Sequence, residues 1–134
     1  MSNPVTYSLE EGVATLTLDD GKANALSLDT IAAINSALDR AEQEAKALLI
    51  TGKVGVLSAG FDLRVIESDL AGAEEMVTRG GELLVRIFMF PMPVVMASTG
   101  HAVGAGALLL LTADYRLGSD ADCKIVLNEA AMGF

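Results

Sequence analysis

The sequence predicts an α/β layered fold with mainly parallel strands, entered through an antiparallel pair. Three observations carry that prediction. Two short segments near the start alternate with the two-residue period of a strand, and later segments repeat apolar residues at helical spacing. Short apolar runs then alternate with the helical stretches, which is the order that builds a parallel sheet.

Val5 to Glu10 and Val13 to Leu18 form the opening pair, with Glu11-Gly12 as their turn. In the second strand Val13, Thr15 and Thr17 face one way, and Ala14, Leu16 and Leu18 the other. Asp19-Asp20-Gly21 ends that strand, and residues 21–26 form a loop. Ser27 is the N-cap of the first helix, although Thr30 does not complete a capping box. From Leu28 onward Ile31, Ile34, Ala37, Leu38 and Ala41 share one helical face, and Asp29 favours the helix start through the macrodipole. Lys46 to Thr51 is a short apolar strand bounded by Gly52, and residues 53–62 form a second loop.

A long helix is predicted from Ala73 to Phe90, where Pro91 and Pro93 forbid continuation. Val94 to Ala97 reads as a buried strand, Gly104 to Thr112 as a helix, and Tyr115 to Leu117 and Lys124 to Leu127 as strands. The sequence has no internal repeat, low-complexity tract or linker, so residues 1–134 read as a single domain.

Composition excludes several classes. With 51% apolar and 20% charged residues, the chain buries enough to fold, which rules out intrinsic disorder. A net charge of −9, without basic patches or aromatic platforms, argues against nucleic-acid binding, yet a few local cations suffice to hold a phosphorylated ligand. Cys123 is the only cysteine; it permits no internal disulfide, favours a reducing compartment, and reads as a small buried hydrophobe. Met1-Ser2-Asn3-Pro4 lacks the basic and apolar regions of a signal peptide, and the run from Ala107 to Leu111 is too short to span a bilayer. The expectation is a cytoplasmic protein with no membrane association.

The most informative segment runs from Gly100 through His101, Gly104, Ala105 and Gly106 to Leu108, followed later by Asn128-Glu129. Small residues at a helix start permit close backbone approach to a ligand, and helix-start N–H groups stabilise negative charge. Tight packing of helix on sheet explains the same glycines. The spacing is not G-x-G-x-x-G, and no Gly-Lys-Ser/Thr follows to make a P-loop. Ser58-Ala59-Gly60 is not a nucleophile elbow, because Val56 stands where glycine is required.

His101, the only histidine, reads as structural, and the chain has too few His and Cys residues for a metal site. Asp19, Asp20, Glu74 and Glu75 read as solvated charges. Glu129 differs, because Ile125-Val126-Leu127 precede it and Ala130-Ala131-Met132 follow it. Burial in such company strengthens a carboxylate as a base, while a salt-bridged structural glutamate fits the same context. A carboxylate held near helix-start N–H groups points to enolate chemistry on a carbonyl compound.

Four segments resemble the crotonase superfamily, also called the enoyl-CoA hydratase/isomerase family, and occur in its order. They are Lys22-Ala23-Asn24-Ala25-Leu26, Ser58-Ala59-Gly60-Phe61-Asp62-Leu63, Gly100 to Gly106, and Asn128-Glu129 with Gly133. Each is weak alone, and the ordered set is specific. The resemblance covers nearly all of the chain but only the N-terminal part of a family member. It implies a crotonase-like spiral of ββα units, truncated at the C-terminus, consistent with a chain end just after an apolar, glycine-containing turn.

The resemblance also implies an acyl-CoA thioester as ligand, with coenzyme A as part of the substrate and no separate cofactor or metal. Lys22, Ala23, Asn24, Ala25 and Leu26, with Ser58, Ala59, Gly60 and Phe61, would line the adenine and pantetheine site beside Gly104 and Ala105. The backbone N–H groups of Phe61 and Ala105 would form the oxyanion hole. The family usually has glycine where Ala105 stands; the N–H survives, and the added methyl narrows the approach.

Hydratases of the family typically use two glutamates, one just after the glycine turn. Here that position is Leu108, which cannot ionise, while the second matches Glu129. Leu127-Asn128-Glu129 resembles the Δ3,Δ2-enoyl-CoA isomerase branch, in which one base suffices. The resemblance therefore implies an isomerase-like enzyme with Glu129 as acid–base, and a homo-oligomer, trimer or hexamer, for a full-length chain. Hydration, another crotonase-type reaction, or a non-catalytic acyl-CoA-binding domain are the alternatives. Lys22, Lys53 and Arg64 are candidate partners for the CoA phosphates, with solvated surface cations as the plain alternative.

Overall fold

The computed structural model describes residues 2–133; Met1 and Phe134, the ends of the expected domain, lie outside the described residues. The chain opens with β1 (Val5–Glu10) and β2 (Val13–Leu18), paired antiparallel with Val5 opposite Leu18. Strand alternation decides the packing: Ala14, Leu16 and Leu18 are buried, as predicted for one face of β2. After β3 (Ala25–Leu26), α1 runs from Leu28 to Glu44. Ser27 caps it, accepting the Thr30 N–H at 3.2 Å. The face carrying Ile31, Ile34, Leu38 and Ala41 is buried in the core, where each large aliphatic side chain contributes about 1.5–3 kcal/mol.

The remaining strands are β4 (Ala47–Thr51), β5 (Gly55–Ser58), β6 (Gly60–Phe61), β7 (Val94–Ala97), β8 (Gly100–Val103), β9 (Tyr115–Leu117) and β10 (Ile125–Val126). They form three sheets rather than one layer. The first has the order β1-β2-β4-β7-β9, the second β10-β8-β5, and β3 pairs with β6. Every pairing except β1 with β2 is parallel. Each successive turn, β4 and β5, then β7 and β8, then β9 and β10, adds one strand to each larger sheet. That is the expected spiral.

α-Helices close the first two of these turns: α2 (Leu63–Ser68) and α3 (Leu70–Phe88) follow β6, and α4 (Ala105–Leu111) follows β8. Arg86 of α3 clamps α1, donating to Asn35 Oδ1 at 2.8 Å and to Asp39 at 2.7 Å. No helix of the described residues is long and apolar enough to cross a membrane.

Several expectations are corrected. The loops expected at residues 21–26 and 53–62 contain β3, β5 and β6, because strands of two to four residues leave almost no periodic signal. The expected helix from Ala73 to Phe90 begins at Leu70 and ends at Phe88, and α2 precedes it, separated by the extended Asp69. β8 was not predicted, since Gly100 begins it and only Ala102 among its next residues is a buried apolar side chain. Cys123 is half-buried rather than buried.

Candidate active site

Four segments meet at the site: the β2–β3 loop, the β5–β6 turn, the β8–α4 turn and the segment after β10. The β2–β3 loop folds around its own polar side chains. Asp20 Oδ1 accepts the Lys22 and Asn24 N–H groups, and Asn24 Oδ1 accepts the Asp20 N–H. Asn24 adopts φ +54°, a left-handed conformation that asparagine tolerates better than most residues. Its amide Nδ2 donates to the Leu18 carbonyl at 2.8 Å and the Leu57 carbonyl at 3.1 Å, tying this loop to the next. The Ala59 N–H donates to the Ala23 carbonyl across the same seam.

Gly60 and Phe61 then pair with Ala25 and Leu26. Gly60, at φ +88°, allows this strand to press on the β8–α4 turn. A Cβ there would lie 2.7 Å from the Val103 carbonyl and 3.1 Å from the Ala105 nitrogen. Ala105 is the first residue of α4, so its N–H has no acceptor within the helix. The Phe61 ring packs on α3 at Gly80, where a Cβ would come within 2.3 Å of the ring.

These segments line a pocket of about 260 Å³, formed by Ala59, Gly60, Phe61, Val103, Gly104 and Ala105 with Leu63 and Ile66 of α2 and Asn128, Glu129 and Met132. Glu129 is the only ionisable side chain lining it among the described residues. It is half-buried, less enclosed than its apolar sequence neighbours predicted, because Ile125, Val126 and Leu127 are themselves exposed. β8–β10 pairing carries it to the pocket, reinforced by the Gly104 N–H donating to the Val126 carbonyl and the Lys124 N–H donating to His101 Nδ1. His101 thus has the structural role that the sequence suggested.

A second concavity, a groove of about 580 Å³, is lined by Lys22, Ala25, Ser27, Asp62 and Arg64 among others. Asp62 caps α2 through the Arg64 N–H and also takes the Arg64 guanidinium at 2.9 Å. Those side-chain hydrogen bonds hold its carboxyl below the usual carboxylate range, helped by the Arg64 N–H and nearby Lys22. Lys53 is not in the groove and faces Asp19 at 3.7 Å.

The structure thus divides the sequence-predicted residues. Lys22 and Ala25 line the groove; Ala59, Gly60, Phe61, Gly104, Ala105 and Glu129 line the pocket. Ala23 is exposed at the seam. Asn24, Leu26 and Ser58 are buried, with the two polar side chains fully engaged by protein atoms, so these side chains are not open to a ligand. Ile66 and Met132 were missed, and Leu63, Val103 and Asn128 stood in the matched segments without a site role; Leu63 and Ile66, three apart behind Asp62, carried a helical signal too short to stand out. Leu108 does not line the pocket. Among the described residues no group of three or more His, Cys, Asp or Glu is placed to hold a metal ion.

Comparison with known proteins matches residues 8–134 to the enoyl-CoA hydratase/isomerase family. A Bacillus subtilis protein described as a probable enoyl-CoA hydratase is 33% identical over 98% of this chain and 52% of its own length. A structure of an enoyl-CoA isomerase from Mtb superposes with a TM-score of 0.95 at 42% identity, covering 100% of this chain and 58% of that one. A Pseudomonas syringae enoyl-CoA hydratase/isomerase family protein gives a TM-score of 0.95 at 47% identity, covering 98% of this chain and 57% of that one. The chain therefore spans little more than half the length of these relatives.

Proposed function

Because the chain belongs to the enoyl-CoA hydratase/isomerase family, we propose that it shifts the double bond of an enoyl-CoA thioester, with Glu129 as the single acid–base. The observation that supports this reading is the pocket itself: among the described residues Glu129 is its one ionisable side chain, in a lining that is apolar apart from Asn128 and includes Phe61 and Ala105.

The Phe61 and Ala105 N–H groups serve as the oxyanion hole. With the thioester carbonyl oxygen between them, the Glu129 carboxylate removes a proton from C2 of a 3-enoyl-CoA. The electron pair moves onto the carbonyl oxygen as a dienolate. The protonated Glu129 then delivers the same proton to C4 as the oxygen's electron pair re-forms the carbonyl, and the double bond moves from C3–C4 to C2–C3. Nothing is consumed, so no water or second base takes part. Each N–H donor contributes about 2.7–4 kcal/mol to lowering the barrier, by analogy with other preorganised oxyanion sites.

Hydration would need a second group to position and activate water, and Leu108 offers none. The groove with Lys22 and Arg64 accommodates the phosphorylated end of CoA, and the pocket the acyl end. The test is conversion of a 3-enoyl-CoA to the conjugated 2-enoyl-CoA, followed by ultraviolet absorbance, with Glu129→Gln as control. Conversion lost in the control while CoA still binds supports the reading. Hydration of a 2-enoyl-CoA without isomerisation, or CoA binding with no turnover by the wild type, overturns it.

A further inference from the structure

We propose that the Ser58 hydroxyl is a positioning residue that sets the Phe61 N–H against the Ala105 N–H, rather than a ligand contact. The inference rests on the reading of those two N–H groups as oxyanion donors. Ser58 is fully buried at the end of β5, just past an irregularity where the β5–β8 register shifts between Val56 and Ser58. A register shift of this kind re-aims the side chains that follow it.

The hydroxyl uses both of its capacities inside the protein. It donates to the Asn24 carbonyl at 2.7 Å and accepts the Gly60 N–H at 3.1 Å. Its backbone meets the other donor segment, since a Cβ on Gly106 would lie 2.3 Å from the Ser58 carbonyl oxygen and 3.0 Å from its Cβ. Ser58 thus touches the residue before Phe61 through its side chain and the residue after Ala105 through its backbone. Gly60 itself abuts the Ala105 nitrogen, so the residue that Ser58 holds lies between the two donor segments.

Gly60 makes this hydroxyl consequential. Glycine has the widest backbone freedom of any residue, so the peptide entering Phe61 is free to turn unless something holds it. The Gly60 N–H bond to Ser58 Oγ fixes the Ala59–Gly60 peptide, the unit immediately before the one that carries the Phe61 N–H, and the β3–β6 ladder holds the segment on its far side. Removing Oγ leaves the Gly60 N–H and the Asn24 carbonyl unpaired where water does not reach, and loosens the turn at Gly60 through which the direction of the Phe61 N–H is set.

The test compares wild type with Ser58→Ala, Ser58→Cys and, as a control outside the site, Ser98→Ala. Ser98 is likewise buried, and its hydroxyl donates to the Gly100 carbonyl two residues on. Cysteine keeps nearly the volume of serine and loses most of its hydrogen-bonding strength. Isomerisation of a 3-enoyl-CoA gives kcat and KM, and hydrogen exchange of the Gly60 and Phe61 amides reads the restraint directly. The expected result is a kcat lower by about ten- to hundredfold in both Ser58 variants, KM within about twofold of wild type, and faster Gly60 and Phe61 exchange. Ser98→Ala is expected to keep kcat.

Wild-type kcat and unchanged exchange in Ser58→Cys would overturn the proposal, because packing alone would then suffice. If Ser58→Ala does not fold, Ser58→Cys carries the comparison. If the wild type converts no enoyl-CoA, the proposed function falls, and amide exchange in Ser58→Cys still decides whether the hydroxyl holds the turn.

Discussion

The Glu129 carboxylate lies directly over Gly104: a Cβ at position 104 would stand 3.2 Å from Glu129 Oε1. Gly104 has φ +56° and ψ −124°, a combination that L side chains rarely adopt. The residue that starts the α4 turn therefore also sets how near the carboxylate approaches the Ala105 N–H. Gly104→Ala is expected to lower stability by about 1–3 kcal/mol through backbone strain. It should also reduce isomerisation at least tenfold, because the methyl displaces the carboxylate from its proton-transfer position. Chemical denaturation and progress curves measure the two effects; full turnover in the variant would separate Glu129 from the chemistry.

Asn24 is predicted to matter for stability before it matters for binding. Its amide satisfies two buried carbonyls, of Leu18 and Leu57, and its own carbonyl receives Ser58 Oγ. Asn24→Ala leaves both of those acceptors unpaired, and an unsatisfied buried acceptor costs about 1–3 kcal/mol. A urea midpoint close to wild type would contradict the seam between the two loops.

The groove cations give a contrast between neighbours. Lys22→Ala and Arg64→Ala are each expected to weaken binding of free CoA severalfold, with a smaller salt dependence than wild type. Arg40→Ala should leave affinity unchanged, because Arg40 pairs with Glu44 and stacks on Tyr7, away from the groove. Titration calorimetry at two salt concentrations distinguishes them. Equal losses in all three variants would mean that only net charge matters.

Asp62 predicts a pH dependence with a definite sign. Its carboxyl is held below the ordinary range by the Arg64 hydrogen bonds, so the folded state favours the charged form. The resulting stability is present above the unfolded-state value of about 3.9 and disappears as pH falls through the lower folded-state value. Asp62→Asn keeps an N-cap of comparable strength and removes the charge. The stability gap between wild type and variant should therefore be widest near neutrality and close in acid. A gap that widens as pH falls would reverse the assignment.

Legibility from sequence followed the length of each signal. β1, β2, β7 and β9 match their predicted bounds, and Ser27 caps α1 as its position required. The alternation of β2 and the apolar face of α1 each repeat several times, so local periodicity specifies them. β3 and β6 span two residues each, too few for a period, and exist because a distant strand supplies their hydrogen bonds, whereas β10, equally short, lies within the strand expected from Lys124 to Leu127. Asn24 and Ser58 were recognisable as members of a site but not as its internal supports, since nothing within five residues shows that they face each other.

By itself the sequence determined the alternation of strands and helices, the acidic and apolar character of the chain, and the ordered motifs that mark its family. These are local or compositional properties, carried by neighbouring residues. Only the tertiary structure decided that successive strands divide between two larger sheets, and that the Lys22 groove takes lining from β3 and the Glu129 pocket from its partner β6. It also decided that Glu129 reaches Gly104 across 25 positions of sequence, because β10 pairs with β8. Contacts of that kind are made by chain closure and hydrogen bonding between segments, and no single segment encodes them.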